Sequence, residues 1–363
     1  MTALCDLWQH LQRQLFPLLV EELGELGDKD HQFVQVVSLL PLGPFLPRYQ
    51  WKGVGCKPHE RVWMMHAFIA EKVYQLPNRE ALVDALKARP TLRRLCGWES
   101  AAEIPSLPTF CRAFAQFADD KLGEHILAAL IKIHCGPKLA GHVSRDATAI
   151  PVAERPAPAP AAPTLAAPRK RGRPKKGEQR PALPPTRLEQ QPHRTLAENL
   201  ADLPQRCDIG AKKGSKGHME YWRGYKLHLD VIDGDIPVSA VLTSASLHDS
   251  QVAIPLMQMT AGRLTSLYTL MDSAYAAAPI QDYARSLGQV PIVEPVQRGD
   301  WVPLDEAQRR RFGERSASER VNSRLKEHFG GRTVRVRGAS KVMCHLMFGI
   351  LAIAGLAIWQ RLC

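Results

Sequence analysis

FGERSASERVNSRLK, residues 312–326, predicts a helix that carries one carboxylate inside a basic stripe. With 3.6 residues per turn, steps of four, three and four place four polar side chains on one face: Arg315, Glu319, Asn322 and Lys326. Such a face can hold a metal ion and phosphates together. The alternative is a solvated helix in which Glu319 only pairs with Arg315, and this segment alone favours that alternative.

Two aspartates earlier in the chain have settings that suit a metal site together with Glu319. Asp272 ends the apolar run LYTLMD, and Asp146 lies within HVSRDATAI, residues 142–150. Each aspartate alone is better explained as the cap of a turn or helix, since Asp is a preferred cap. Taken together and in this order, the three carboxylates favour an active site.

These motifs resemble those of bacterial insertion-sequence transposases of the DDE type. The family's signature near its last carboxylate has an Arg, three residues, a Glu, six residues and a Lys. Arg315, Glu319 and Lys326 match it, with a Phe where the family usually has Tyr. The sequence DSAY that begins at Asp272 is similar to the family's D-x-G-Y, and the surroundings of Asp146 are similar to its first aspartate segment.

The resemblance implies an enzyme that cuts DNA at the ends of a mobile element and joins the freed 3′ ends to target DNA. It implies that Asp146, Asp272 and Glu319 are catalytic and hold two Mg²⁺ ions, with Mn²⁺ acceptable to the same oxygen ligands. Two metals roughly 3.5 to 4 Å apart can hold the attacking and leaving oxygens of an in-line displacement at phosphorus. Without metal, clustered carboxylates raise one another's pKa.

A basic segment surrounds the last carboxylate, with ten Arg or Lys and three Glu between residues 309 and 337. We expect Arg315 and Lys326 to bind the DNA of the element's ends, and Arg320 and Arg324 to contribute. Arg suits bidentate contacts with phosphate, and Lys provides a point charge. Binding through several phosphate contacts is expected to weaken steeply with salt.

Other side chains are candidates for supporting the three carboxylates. His248 and Asp249 resemble another familiar stretch of the family, and Tyr275 and Asn322 lie within the motifs themselves. A strand-end turn or a helix cap explains His248 and Asp249 equally well. Asp249 and Asp230 also compete with the three carboxylates as metal ligands.

Composition divides the chain into three regions. Residues 1–135 have apolar residues at helical spacing and predict an all-α domain, which the resemblance assigns to recognition of the element's ends. Residues 136–340 predict an α/β domain with an RNase H-like mixed sheet flanked by helices. Residues 341–363 predict an apolar helix packed on that domain, because its apolar segment, residues 346–359, is too short to span a bilayer.

Several elements are expected within the second region. Residues 224–243 alternate apolar and polar side chains around Asp-Gly-Asp and predict a hairpin. Strands are expected at residues 267–272 and 290–296, with a helix at 280–287 between them. The segment AKKGSKGHMEYWRGYK, residues 211–226, is either a DNA contact or a solvated loop, and the loop is favoured.

Residues 151–206 interrupt the second region and contain 12 of the 28 prolines. Such a segment buries too little apolar surface to fold alone, so we expect it to be disordered. Within it, RKRGRPKK, residues 169–176, resembles the AT-hook, which lies in the minor groove of A·T-rich DNA through Arg171 and Arg173. A basic proline-rich linker that binds phosphates without preference is an equally good explanation.

The whole chain is basic, with 48 Lys plus Arg against 36 Asp plus Glu and a formal net charge of +12. Double-stranded DNA suits this charge, although a membrane surface or an acidic protein suits it too. The eight cysteines form no C-x-x-C pair and the N-terminus has no secretory pattern. We therefore expect a cytoplasmic, nucleoid-associated protein without a membrane partner, which forms a homodimer when two DNA ends are brought together.

Two other functions stay open at this stage. A related metal-dependent nuclease would cut DNA without joining it. A catalytically silent DNA-binding protein descended from a transposase would keep the fold without the chemistry, since fold alone does not give function. The intact set of three carboxylates and the retained Arg315 and Lys326 argue against the silent protein.

Overall fold

The structure, a computed structural model, describes residues 25–53, 58–156, 158, 184–214, 217–295 and 302–362. The predicted AT-hook, with Arg171 and Arg173, lies outside them. What is described contains a mixed sheet with helices on both faces, preceded by a helical region. The predicted fold class is therefore confirmed, and it is consistent with an RNase H-like domain.

Six helices precede the sheet within the described residues: α1 (Asp28–Leu39), α2 (Arg61–Val73), α3 (Arg79–Ala88), α4 (Pro90–Cys96), α5 (Leu107–Asp119) and α6 (Leu122–His134). Local signals set their starts, as where the Asn78 side chain accepts a hydrogen bond from Ala81 N at the start of α3. The helices pack through aromatic rings, and Phe68 of α2 lies against Phe110, Phe114 and Phe117 of α5.

The sheet contains six strands: β1 (Ala140–Pro151), β2 (Asp208–Lys213), β3 (Met219–Ile232), β4 (Ile236–Ser244), β5 (Ser266–Met271) and β6 (Val290–Val293). β1 pairs antiparallel with β3 and parallel with β5, and β5 pairs parallel with β6. β3 pairs antiparallel with β2 and β4. The predicted hairpin is confirmed as β3 and β4, with Gly234 and Asp235 at positive φ in its turn.

The last part of the segment expected to be disordered is folded. Residues 187–202 contain two short helices, α7 (Arg187–Gln190) and α8 (Leu196–Asp202), each started by a threonine capping box. They lie against α9 (Ser250–Ala261), where Gln191 donates to Gln251 O at 2.7 Å and Asn199 donates to Gln258 Oε1 at 2.9 Å. The disorder prediction is wrong here because α9 supplies the buried contacts that the segment lacks by itself.

The segment at residues 211–226, interpreted above as a loop, is also regular. It forms most of β2 and the first half of β3. The Trp222 ring packs against Gly210, where an added Cβ would lie 2.2 Å from the ring, and Trp222 Nε1 donates to Tyr225 O at 3.0 Å. A glycine opposite a tryptophan therefore stabilises a pairing that charge composition does not indicate.

Four helices complete the fold: α10 (Ala278–Ser286), α11 (Glu306–Phe312), α12 (Ser316–His328) and α13 (Ala339–Leu362). α13 is buried from Val342 to Trp359, and it contacts α1, α2, α5 and α6 as well as β4 and α12. One hydrophobic cluster therefore contains residues from the helical region and from the sheet. The predicted boundary at residue 135 marks a change of secondary structure and does not separate two cores.

α13 corrects one expectation from the sequence. With 24 residues it is long and apolar enough to cross a membrane, because it begins several residues before the apolar segment. Its most apolar window is completely buried inside the fold, against the helices and the strand named above. The apolar residues of α13 therefore form part of the protein core.

We expect Phe348→Ala to lower the free energy of unfolding by about 3–5 kcal/mol, since it removes a buried ring. The ring stacks on Phe68 with centroids 5.3 Å apart, so the loss affects the contact between α13 and α2. Urea unfolding, followed by circular dichroism and tryptophan fluorescence, should remain one transition.

The control is Ile133→Ala, which truncates a side chain of α6 that is 55% exposed. It should change the free energy of unfolding by less than about 0.5 kcal/mol. Two separate unfolding transitions in the wild-type protein would contradict a core shared by the helical region and the sheet.

Candidate active site

The parallel pairing of β1 with β5 brings two of the predicted carboxylates together. Ser144 of β1 pairs with Leu270 of β5, and Asp146 and Asp272 each come two residues later. The two carboxylates are close enough for the charge of Asp272 to raise the pKa of Asp146. Two acids that are far apart in the chain thus share one end of the parallel strand pair.

Helix α12 covers Asp146, and hydrogen bonds between polar side chains fix its position. Ser144 donates to Arg315 O at 2.7 Å and lies 2.8 Å from the Ser318 hydroxyl. Asn322 Nδ2 donates to Asp146 Oδ2 at 3.0 Å, and Arg315 Nη1 lies 4.0 Å from Asp146 Oδ1. Ser144 therefore fixes the position of the segment that brings Arg315 and Asn322 next to Asp146.

The two aspartates are poorly solvated. The pKa of Asp146 is raised to about 6, mainly by burial and also by the charge of Asp272, although hydrogen bonds from Ala147 N and Asn322 and the charge of Arg315 act in the opposite direction. Burial also raises the pKa of Asp272, whose Oδ1 accepts a hydrogen bond from Ala274 N at 2.9 Å. Asp272 thus caps the turn that follows it, and this is compatible with its predicted role in the site.

Glu319 is connected to Asp146 through Arg315, which contacts both carboxylates. It lies one turn after Arg315 on α12, its side chain is 56% exposed, and its carboxylate accepts a hydrogen bond from Arg315. The guanidinium of Arg315 therefore contacts Asp146 on one side and Glu319 on the other. Lys326 lies further along the helix, where burial and the charges of Lys212 and Arg332 lower its pKa, while Asp146 raises it.

The donor atoms fit a hard divalent cation, although the third carboxylate points elsewhere. Among the described residues, no three or more His, Cys, Asp or Glu side chains form a group that could hold a metal. Asp146 and Asp272 present carboxylate oxygens with raised pKa values, and the buried Oδ1 of Asn322 has no hydrogen-bond partner. Oxygen donors of this kind are the ligands that Mg²⁺ prefers.

Tyr275, Asp249 and His248, which were predicted to support the carboxylates, have different surroundings in the structure. The Tyr275 hydroxyl is buried without a hydrogen-bond partner, and burial and the charges of Asp249, Asp146 and Asp272 raise its pKa. Asp249 forms an ion pair with Lys226 at 2.8 Å. His248 is exposed and its Nδ1 lies 2.8 Å from the Ser250 hydroxyl at the start of α9.

Asp230 is not a metal ligand beside Asp146. Asp146 pairs with Leu229 across β1 and β3, so the next residues, Arg145 and Asp230, face the opposite side of the sheet. There Asp230 accepts hydrogen bonds from Arg145 Nη2 and Thr260 Oγ1, both at 2.7 Å, and is fully buried. Asp230 is therefore excluded as a metal ligand beside Asp146, because it faces the other side of the sheet and because Arg145 neutralises its charge.

The sequence interpretation missed Arg145. Its buried guanidinium binds Asp230 of β3 and lies 3.5 Å from the Met271 sulfur of β5. It therefore links three strands directly behind Asp146. The sequence does contain a signal for this pair: Arg145 lies within one predicted strand and Asp230 within a second, apolar one.

The other predicted DNA contacts on α12 are Arg320 and Arg324. Arg320 donates to Asp235 in the β3–β4 turn, with Nη2 to Oδ1 at 2.7 Å and Nε to Oδ2 at 3.0 Å. Arg324 lies on the same helix and is half-buried. Both remain predictions as DNA ligands, and Arg320 would have to exchange its carboxylate partner for a phosphate.

Two family models match the chain. One, described as the transposase DDE domain, covers residues 146–354, which is more than half of the chain. The other, described as a transposase domain (DUF772), covers residues 21–116. No curated protein and no solved structure matches. The first match begins at Asp146 and includes Asp272 and Glu319.

We expect Asp146→Asn to stabilise the metal-free protein increasingly as pH rises from about 4 to about 6. The folded wild type binds a proton with a pKa of about 6, against 3.8 ordinarily, so its stability falls over this range as the proton is lost. The variant carries no such proton. Its advantage should reach about 1–3 kcal/mol and then level off.

Urea denaturation of both proteins in EDTA at pH 4 to 7 measures this difference. Asp282→Asn, which changes an exposed aspartate of α10, is the matched control and should show no comparable trend. A constant difference between Asp146→Asn and wild type across the range would contradict a buried, destabilised carboxylate.

Proposed function

The chain belongs to the transposases with a DDE domain, and we propose that it cuts DNA at insertion-sequence ends and joins the freed 3′ ends to target DNA. The family implies cleavage and transfer of polynucleotide strands with divalent metal ions. One observation carries the specific proposal: β1, β5 and α12 bring Asp146, Asp272 and the Arg315–Glu319 pair to one place.

We propose Asp146, Asp272 and Glu319 as the residues that hold two Mg²⁺ ions, with Mn²⁺ as an alternative. When bound, the ions neutralise charge at the phosphate and hold the attacking and leaving oxygens. Asn322 orients Asp146 through its 3.0 Å hydrogen bond. The raised pKa values of the two aspartates support a cation site, because a divalent ion relieves the repulsion and poor solvation that the protein imposes.

Arg315 gives DNA a role in completing the site. Its guanidinium contacts both Asp146 and Glu319, and arginine also binds phosphate in bidentate fashion. A DNA phosphate that binds Arg315 competes with Glu319 for the same hydrogen-bond donors. We therefore propose that DNA binding releases Glu319 to join the two aspartates.

The partners follow from the same proposal. The transposase family acts on DNA, and we propose double-stranded element ends and target DNA as substrates. Two ends have to meet for joint insertion, which favours a homodimer on DNA. The basic composition and the buried position of α13 support a cytoplasmic protein at the nucleoid.

A catalytically silent DNA-binding protein is the second candidate. The engagement of Glu319 with Arg315, and the lack of a three-acid group in the described part of the chain, are what such a descendant would also show. A nuclease that does not join strands would share the whole site. Both are separated from a transposase by the products that form.

We expect Glu319→Gln and Asp272→Asn to lower DNA cleavage and joining by roughly a hundred-fold or more, since each removes a proposed metal ligand. Binding of the element's ends should persist, because both changes leave the basic residues in place. The measurement is excision and integration of a marked element that carries its own genomic flanks, together with end binding by purified protein.

Glu327→Gln is the matched control, with the same change on the same helix, where Glu327 pairs with Arg332. It should move the element like wild type. Binding without movement by every protein, wild type included, would favour the silent protein, and cut ends without joined products would favour the nuclease. Normal movement by Glu319→Gln would show that Glu319 is not the third carboxylate.

A further inference from the structure

β2 and the first half of β3 form a two-stranded ribbon that extends beyond the rest of the sheet. β2 pairs with residues 219–224 of β3. β4 pairs with β3 only from Tyr225 onward, and β1 pairs with it only from Gly224 onward. Within the described residues, the ribbon's outer part, residues 209–213 and 219–222, thus has no third strand.

One face of the ribbon is apolar and cationic. Alternation along the two paired strands places six residues on this face: Ile209, Ala211, Lys213, Met219, Tyr221 and Arg223. Tyr221 is 70% exposed, and Ile209 and Met219 are also exposed. The acids of the ribbon lie on the other face, where Glu220 pairs with Lys212 and Asp208 binds Ser246. Among the described residues of the ribbon, the exposed face therefore carries two positive charges and no negative one.

This face continues the side of β3 that faces Asp146. Leu229 of β3 is paired with Asp146, and Arg223 and Tyr221 precede it by six and eight residues, which is an even number in each case. At about 3.4 Å per residue, these two side chains lie roughly 20 and 27 Å along the strand from the site. The exposed face of the ribbon thus lies on the same side of the sheet as Asp146, beyond the buried side chains of Leu227 and Tyr225.

The ribbon is built to hold its shape. The Trp222 ring covers Gly210 on the opposite face, and its Nε1 donates to Tyr225 O at 3.0 Å. The packing and the hydrogen bond of Trp222 therefore hold the two strands together behind the exposed tyrosine.

We propose that this ribbon enters the major groove of the element's end, about six to eight base pairs from the scissile phosphate. The groove admits a two-stranded ribbon, and one base pair occupies about 3.4 Å along the duplex. Lys213 and Arg223 bind phosphates, and Tyr221 contacts base edges. The inference rests on the proposed function, because it assumes that the DNA runs along β3 from Asp146.

Charge decides between DNA and a protein partner. A second copy of this chain or another protein would cover the exposed apolar side chains equally well. The two cations near Tyr221 and the absence of acids among the described residues of this face are complementary to a phosphate backbone. DNA is therefore the single occupant that we propose.

The test is binding of purified protein to a duplex with the element's own end and flank, at several salt concentrations. Lys213→Ala with Arg223→Ala should reduce the slope of log affinity against log salt by about 1.8, or 0.9 for each lost phosphate contact. Tyr221→Ala should keep the slope and reduce the preference for the end over unrelated DNA roughly tenfold. Arg285→Ala, at an exposed cation of α10, is the control and should leave both unchanged.

Base substitutions in the duplex locate the contact. Changes six to eight base pairs from the cut should weaken binding by wild type and have little further effect on Tyr221→Ala. Ribbon variants that bind like Arg285→Ala, or that lose only self-association, would overturn the proposal. A wild type that neither binds nor cuts the end would instead overturn the proposed function, so the two failures are distinguishable.

Discussion

The parallel pairing of β1 with β5 is the constraint on which the site depends, because it forces two acidic side chains into one partly buried place. Poor solvation raises both pKa values, nearby carboxylates raise them further, and protein groups compensate only in part. Arg145 and Asp230 lie on the opposite face as a buried ion pair, in which each neutralises the charge of the other. One face of the sheet thus carries the neutral pair Arg145–Asp230, which links the strands. The other face carries Asp146 and Asp272, whose negative charges are suited to a cation.

The position of α12 over Asp146 depends on the core around α13. α13 contacts α12 on one side and the N-terminal helices on the other, so the site helix rests on the same core as the helical region. Ser144 then fixes α12 to β1 through Arg315 O and Ser318. These contacts use backbone and hydroxyl groups and none of the charged side chains of α12.

Arg315 connects the charge balance of the site to the proposed substrate. In the structure it partly offsets Asp146 and holds Glu319, so one cation serves two acids that would otherwise repel. A phosphate and metal ions would divide these roles differently, with the phosphate taking the arginine and the metals taking the acids. Farther along β3, beyond the buried Leu227 and Tyr225, positive charge and exposed apolar side chains lie together on one face of the ribbon.

The sequence by itself determined the mixed α/β class, the β3–β4 hairpin, and the helix with Arg315, Glu319, Asn322 and Lys326 on one face, because local periodicity and turn residues encode them. It also supplied Asp146 and Asp272 as candidates by motif. Only the tertiary structure decided that Asp230 faces away, that residues 187–202 fold on α9, and that β2 pairs with β3. Those outcomes depend on strand register and on contacts between distant segments, such as Arg145 with Asp230 or Trp222 with Gly210, which local patterns do not contain.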